Sequence, residues 1–341
     1  MPSAADEITA AIAAAGGAIP FSEYMRLALY GDGGFYTTGG RAGRRGGDFI
    51  TSPEVGPLFG TVIARALDAW WKELGSPSQF DVVECGAGPG TLARSILAAQ
   101  PECANAMHYV AVEISASQRA LHPTGVESCE NMPDGPITGV ILANELLDNL
   151  PIRLFVFDGS WMEAFVSQAS GGQFVEVLRT PDVVPTCLPQ TAPLGSRAPI
   201  QDAAVSWVSD SLAKISNGRL LLFDYCSTST AEISLTPWRE WLRTYQDQGR
   251  GMHYLSDPGS QDITSQVMID QLPRGFITST QADFLTQWGI DDLVHEGAAY
   301  WENMKHAPDV AAMKMRSRST EAKSLIDQTG LGSFTALSWQ K

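Results

Sequence analysis

Short, continuous apolar runs alternate with segments of helical periodicity through the middle of this chain. Val82-Val83, Tyr109 to Val112 and Val140 to Ala143 are uninterrupted apolar stretches. Such runs belong to strands buried on both faces, and their alternation with helical segments predicts a parallel sheet over 80–143. Upstream, residues 4–15 read as an alanine-rich helix and residues 21–30 as a second, with Phe21, Tyr24, Met25, Leu27 and Leu29 as its apolar residues. Gly31 to Gly47 is glycine-rich and reads as loop. Asp48-Phe49-Ile50-Thr51-Ser52-Pro53-Glu54 then leads into a helix over about 54–74. Ser52 suits its N-cap, Pro53 the first helical position and Glu54 the positive helix end.

The pattern changes after residue 151. Ile152 to Phe157 and Trp161 to Val166 flank Asp158-Gly159, a hairpin signal, and Phe174 to Leu178 reads as a third strand. Pro181, Pro185, Pro189, Pro193 and Pro199 mark a linker, and a helix over about 200–216 leads into a buried strand, Arg219 to Tyr225. Residues 227–275 read as irregular with two helical pieces. Phe276 to Thr280 is strand-like, 281–288 a helix, 309–328 a basic amphipathic helix and Phe334 to Trp339 a final strand.

The chemistry begins where the first apolar strand stops. Val83-Glu84-Cys85-Gly86-Ala87-Gly88-Pro89-Gly90-Thr91-Leu92 is a strand ending in an acid, a Gly-x-Gly-x-Gly turn and a helix start. Glycine lets backbone pass where a Cβ would clash with a ligand, and the first helical turn presents free N–H groups. A nicotinamide dinucleotide site wants G-x-G-x-x-G. Here the third glycine, Gly90, comes one residue early, and Thr91 stands in its place. Glu84 would repel a diphosphate but suits the cationic amino end of a methionyl group. The turn therefore points to S-adenosylmethionine, with S-adenosylhomocysteine as product, ahead of a tight turn with no ligand.

Two further strand ends agree. Glu113 lies 23 residues past Gly90, close to the roughly 20-residue interval of an acid that accepts ribose hydroxyl hydrogen bonds. Ile114 follows it, Ser115 starts a helix carrying Gln118, and Glu130-Asn131-Met132 lies where adenine belongs. The next strand runs into Asn144, Glu145 and Asp148. Ligands of open parallel sheets bind beyond the carboxyl ends of the strands. The expected cofactor residues are thus Glu84, Gly86, Ala87, Gly88, Gly90, Thr91, Leu92, Glu113, Ile114, Asn144 and Glu145. Thr51, Ser52, Pro53 and Glu54 join them as an N-terminal cap, which could equally be structural.

The expected fold is α/β: a seven-stranded, Rossmann-like class I methyltransferase sheet with helices on both faces, completed by an antiparallel pair, plus an N-terminal helical cap and an antiparallel β insertion. The boundaries drawn are 1–60 for the cap, 61–151 for the first half of the cofactor-binding core and 152–200 for the β insertion. The fifth core strand region then covers 201–226, a substrate or lid insertion 227–275 and the C-terminal strands 276–341.

Composition narrows the partners. The 341 residues carry a net charge of −15 and are 44% hydrophobic. An acidic surface repels nucleic acid and anionic membrane, so neither is expected as a partner. Arg41, Arg44 and Arg45 form a basic cluster in the glycine-rich loop, read as surface. No apolar run reaches about 18 residues and no signal peptide is recognisable. Five scattered cysteines argue for a reducing compartment and against zinc, and no metal is expected. A cytoplasmic location follows as the expectation. A homodimer is left open.

The residues also carry a resemblance. Tyr24-Met25 with Gly34-Phe35-Tyr36, Gly47-Asp48-Phe49-Ile50-Thr51-Ser52-Pro53-Glu54 with Phe59-Gly60, the glycine turn, Ala143-Asn144-Glu145-Leu146-Leu147-Asp148-Asn149-Leu150-Pro151, Asp224-Tyr225 and Pro258-Gly259-x-x-Asp262-Ile263-Thr264 resemble the MidA family in order over nearly the whole chain. The resemblance implies an S-adenosylmethionine-dependent methyltransferase. For the family's mitochondrial branch, complex I assembly factors, it implies symmetric dimethylation of an arginine. Two places depart from the family pattern. Gln266 and Met268 stand where the family has His and Asp, and the turn reads E-C-G-A-G-P-G in place of E-L-G-P-G-R-G. The first leaves the substrate open.

In-line methyl transfer needs nucleophile and methyl carbon held in a near-attack arrangement. For an arginine acceptor, carboxylates orient the guanidinium through charge-assisted hydrogen bonds. Glu145 and Asp148 are the candidates, although Asp148 could equally fix local structure. For a hydroxyl acceptor, Asp48 or His253 could serve as base. The acceptor is a protein side chain or, in the alternative, a small molecule or peptide. A cofactor-binding assembly chaperone without turnover is the remaining reading.

Overall fold

The computed structural model describes residues 2–39, 51–246 and 249–341. The basic cluster Arg41, Arg44 and Arg45 and the segment Gly47 to Ile50, with Asp48, lie outside the described residues. The chain divides into two compact units.

One unit comprises Ile50–Glu145, Ser211–Asp224 and Gly275–Lys341. Its sheet has seven strands: β1 (Phe80–Cys85), β2 (Met107–Val112), β3 (Glu127–Cys129), β4 (Ile137–Asn144), β5 (Ile215–Asp224), β6 (Phe276–Thr280) and β7 (Thr335–Gln340). The order is β6-β7-β5-β4-β1-β2-β3. β1 to β5 run parallel, and β7 runs antiparallel to both β5 and β6. Consecutive residues such as Val82 and Val83, Ile141 and Leu142, and Leu221 and Leu222 are all buried, so both faces of the sheet are covered. On one face Val82, Val140, Leu142 and Leu221 pack with Phe59 and Ile63, Ile96 and Phe284 from three helices. The strand order reverses at β1 and β4, the switch point where open α/β sheets bind ligands.

Three expectations need correction in this unit, and one helix was not foreseen. The single helix over 54–74 is two: Ser52–Val55, then Pro57–Glu73 after a break at Gly56. Proline lacks the N–H and clashes with the preceding turn, so Pro57 starts a helix and cannot continue one. Ser52 is not the N-cap; Thr51 is, and the buried Ser52 hydroxyl donates to Gln281 Oε1 at 2.8 Å. The second helix takes its cap from afar, since Leu58 N–H donates to Glu321 Oε2 at 2.9 Å. Finally, a helix at Ile290–Met304, not anticipated, packs on Val310–Leu325. Gly297 allows it, because a Cβ there would collide with the Met315 carbonyl. Val310–Leu325 is polar nearly all round, burying Ala312, Glu321, Ala322 and Leu325, so it lacks the expected amphipathic stripe.

The other unit comprises Met1–Phe49, Leu146–Asp210 and Tyr225–Arg274. The hairpin expected around Asp158-Gly159 forms from Arg153–Phe157 and Trp161–Gln168, and Phe174–Arg179 pairs with the latter. Two strands were not legible in the sequence. Ala18–Pro20 pairs with Trp161–Gln168, and the end of the proline-rich linker, Arg197–Ile200, forms an edge strand on Arg153–Phe157. An edge tolerates Pro199, which cannot donate to a ladder. Ala4–Ala14 starts at a Ser3 capping box, and Phe21–Tyr30 buries Phe21, Tyr24, Met25, Leu27, Ala28 and Leu29. The expected irregular region holds a helical turn at Thr230–Ile233 and a 3₁₀ turn at Trp238–Glu240. It also holds a small sheet, Leu242–Gln246 between Gly249–Arg250 and Asp262–Ser265, and the pair Cys226–Ser227 with Val267–Met268.

Candidate active site

Register brings three strand ends to one level. Cys85 pairs with Val112 on β2 and with Ala143 on β4. The glycine turn, Glu113 and Asn144 therefore leave the sheet side by side. Gly86, Gly88 and Gly90 have φ of 70°, 51° and 75°. This left-handed region strains any residue with a Cβ, which explains the three glycines. A Cβ on Gly90 would stand 2.9 Å from Pro123 Cδ, whereas one on Gly88 would meet no atom of the described residues within 4 Å. Among the described residues, only conformation constrains Gly88.

Glu113 grips this turn. Its Oε2 accepts from Gly88 N–H at 2.9 Å and its Oε1 from Ser115 N–H at 2.8 Å. A carboxylate has about four lone-pair sites, so Glu113 can still accept from further donors. Ile114, beside it, is 45% exposed, unusual for isoleucine. Glu130 and Asn131 are exposed beyond β3. Gln118 is buried, and its Oε1 has no hydrogen-bond partner among the described residues.

Glu84 is differently placed. It is only 5% exposed, accepts from Tyr109 OH at 2.6 Å and takes a backbone hydrogen bond from Ala93. It thereby caps the helix Thr91–Ala98, whose N-cap, Gly90, offers no side chain. Burial pushes its pKa up to about 7, against the opposing pull of those hydrogen bonds.

A second acidic group gathers at the end of β4. Asn144 Nδ2 donates to Glu145 Oε1 at 2.8 Å, and Glu145 N–H donates to the Phe223 carbonyl at 2.8 Å. Glu145 has a φ of 53°, a left-handed conformation uncommon for a residue with a side chain. Burial, then the charge of Glu145, raises Glu54 to about 7. Glu54 Oε2 and Asn144 Oδ1 are buried atoms without a hydrogen-bond partner among the described residues. Two neighbouring carboxylates suit a cationic ligand.

Asp148, in the other unit, lies on a 3₁₀ turn, Leu147–Asn149, and is 1% exposed. Three of the sequence blocks meet at that turn. Asn149 Nδ2 donates to Asp262 Oδ1 at 3.0 Å, Tyr36 OH donates to Asp262 Oδ2 at 3.0 Å, and Tyr30 OH donates to the Asn149 carbonyl at 3.1 Å. Burial raises Asp262 to about 6 despite these bonds. In the sequence Tyr36, Asn149 and Asp262 stand out only as family landmarks, and Tyr109 only as a strand residue. His253 is exposed on one side, with Nδ1 accepting from Leu255 N–H at 3.2 Å; partial desolvation of its ring, then the charge of Arg197, lowers its pKa. Met268 is fully buried.

The family pattern of S-adenosyl-L-methionine-dependent methyltransferases matches residues 62–285. The chain belongs to this MidA-like methyltransferase family. This methyltransferase is 32% identical over 188 residues to the mitochondrial protein arginine methyltransferase NDUFAF7 homolog of Drosophila melanogaster, covering 45% of the chain and 42% of that protein. It is 26% identical to the Danio rerio protein arginine methyltransferase NDUFAF7, covering 81% of the chain and 74% of that protein. The Homo sapiens counterpart is 25% identical at 81% and 71% coverage. A Burkholderia thailandensis protein crystallised with S-adenosylhomocysteine has the same fold, with a TM-score of 0.82, 26% identity, and 99% and 92% of the two chains covered. The methyltransferase uses S-adenosylmethionine. One expectation falls: the vertebrate relatives are mitochondrial proteins, which overturns the cytoplasmic location.

Proposed function

We propose that this methyltransferase modifies a nitrogen of a protein arginine. The observation that carries the reading is the Glu54–Glu145 pair at the end of β4, where burial and the charge of Glu145 raise Glu54, whose Oε2 has no hydrogen-bond partner among the described residues. The names of the relatives support the same acceptor. A guanidinium brings one positive charge and five donors in a planar fork, the chemistry that two carboxylates accept.

S-adenosylmethionine supplies a methyl carbon on a sulfonium, displaced in line to leave a neutral thioether. The residues supply position and proton handling. Gly86, Ala87, Gly88, Gly90, Thr91 and Leu92 form the turn against which the cofactor lies. Glu113 accepts from the ribose hydroxyls while holding Gly88, and the exposed Ile114 covers one face of the adenine. Glu84, turned toward Tyr109 and Ala93, shapes the turn and sets a negative charge near the methionyl amine. Thr51, Pro53, Glu54 and Asn144 border the methionyl end, while the buried Ser52 ties that segment to Gln281. Glu145 fixes the guanidinium so that one nitrogen faces the methyl carbon. The attacking nitrogen must lose a proton as the bond forms, and Glu54, with its pKa near neutrality, receives it. Asp148 stands on a turn held by the hydrogen bonds of Asn149 and Tyr36 to Asp262.

Two measurements test this. Calorimetry with S-adenosylhomocysteine, with Gly88→Val as control, checks the cofactor site; binding that the control abolishes is expected. Incubation with arginine- and lysine-containing peptides, amino-metabolite extracts and isotopically labelled cofactor then identifies the acceptor by mass spectrometry. Methylarginine after acid hydrolysis is expected. Label found only in lysine, in a carboxyl ester or in small molecules would refute the arginine reading and leave the cofactor site standing.

A further inference from the structure

The peptide of Gly88 is held at both ends. Its N–H donates to Glu113 at 2.9 Å, and its carbonyl accepts from His122 Nε2 at 2.9 Å. The carbonyl cannot donate, so His122 Nε2 carries a proton. The far ring nitrogen, Nδ1, meets Ser128 Oγ at 2.9 Å on β3. That contact orients the ring and, in the neutral imidazole, fixes the Nε2–H tautomer. His122 also packs below the third glycine: a Cβ on Gly90 would come within 3.2 Å of His122 Cδ2. The segment carrying His122 is itself tied down. Arg94, from the helix after the turn, donates to the Leu121 carbonyl at 2.9 Å, and His122 N–H donates to the Arg119 carbonyl at 3.1 Å. Arg119 in turn donates to the carbonyls of Glu113 and Ile114 at 2.6 and 2.7 Å. The glycine turn, the acid at the tip of β2 and the segment after it thus form one closed web.

We propose that His122 is a positioning residue for the cofactor. It holds the Gly88 peptide in the left-handed conformation that opens the turn to the nucleoside, and it works as a hydrogen-bond donor at Nε2 oriented by Ser128. Three flexible glycines in succession lose much conformational freedom on folding. A donor clamp on the middle one restricts the turn before the cofactor arrives, which strengthens binding by preorganisation. The proposal deepens the cofactor reading and rests on it.

The test is calorimetric titration with S-adenosylhomocysteine of the full chain and three variants, alongside thermal melting of each without ligand. His122→Phe keeps a ring and removes the donor; its Kd is expected to rise about three- to tenfold, the worth of one hydrogen bond. In His122→Gln the side-chain N–H reaches the place of Nε2, so its Kd is expected to stay within about twofold of the parent. Ser128→Ala frees the ring, and an intermediate rise is expected. A glutamine variant as weak as the phenylalanine one would overturn the donor role. So would an unchanged Kd in His122→Phe, or weakening in each variant that merely follows lowered melting. If His122→Phe fails to fold, the glutamine and Ser128→Ala variants still decide. Failure of the parent itself to bind would strike the cofactor reading instead.

Discussion

Replacing Gly88 by alanine separates what the fold needs from what the cofactor needs. At a φ of 51° an alanine is strained, at a cost of about 1–2 kcal/mol. Among the described residues nothing else opposes it, since the new Cβ meets none of their atoms within 4 Å and both hydrogen bonds of the peptide can remain. For a unit of this size, about 1 kcal/mol lowers the melting temperature by about 2–4 °C, so a fall of roughly 2–8 °C is expected. Gly90→Ala provides the contrast. It combines a φ of 75° with a Cβ 2.9 Å from Pro123 Cδ, so its melting temperature should fall further. Binding should rank the two differently relative to their stability losses. The Gly88 methyl projects into space open among the described residues, where the cofactor is proposed to lie, and the Kd for S-adenosylhomocysteine should rise at least about tenfold. Calorimetry below the melting range of each variant supplies the number. A Gly88→Ala protein that melts lower as expected yet binds S-adenosylhomocysteine like the parent would refute the reasoning, because the cofactor would then not lie against Gly88.

Other residues make separate predictions. Glu84 has a folded-state pKa near 7 against an ordinary 4.5, so the folded protein holds the extra proton between those values. Stability should therefore fall as pH rises from about 4.5 to about 7, with the penalty fully present above 7. At about 1.4 kcal/mol per pH unit this amounts to roughly 3 kcal/mol. Glu84→Gln should lack that dependence when denaturant melts are compared across pH 4.5–8; identical profiles would exclude the buried carboxyl as the cause. If Glu54 receives the acceptor's proton, turnover should rise with pH through about 7. Glu54→Gln should then be slower and lose that limb, whereas an unchanged pH–rate profile would remove Glu54 from proton transfer. Glu321→Ala removes the cap from the Leu58 N–H and should cost about 0.5–2 kcal/mol of stability while leaving the Kd for S-adenosylhomocysteine unchanged.

The sequence alone determined the sheet and the cofactor turn, because both rest on local physics. A strand buried on both faces must be apolar throughout, so Val82-Val83, Val140 to Ala143 and Leu220 to Phe223 announce themselves. A turn with three left-handed residues in five needs glycines, so Gly86, Gly88 and Gly90 do likewise. The spacing from Gly90 to Glu113 follows from one helix and one strand. Tertiary structure decided what depends on partners distant in sequence. Ser52 looks like an N-cap by its neighbours, but Gln281, 229 positions away, claims its hydroxyl. The helix after Gly56 draws its cap from Glu321, which no local window contains. Arg197–Ile200 has weak strand propensity and forms a strand because Arg153–Phe157 offers an edge. Tyr36, Asn149 and Asp262 carry separate motifs in three segments, and only folding joins them into one hydrogen-bonded cluster. His122 gave no signal at all: a lone histidine becomes a clamp only when the chain brings it under the Gly88 carbonyl. Local conformational energy is written residue by residue, whereas caps, clamps and edges are pairwise and fixed by where the chain returns.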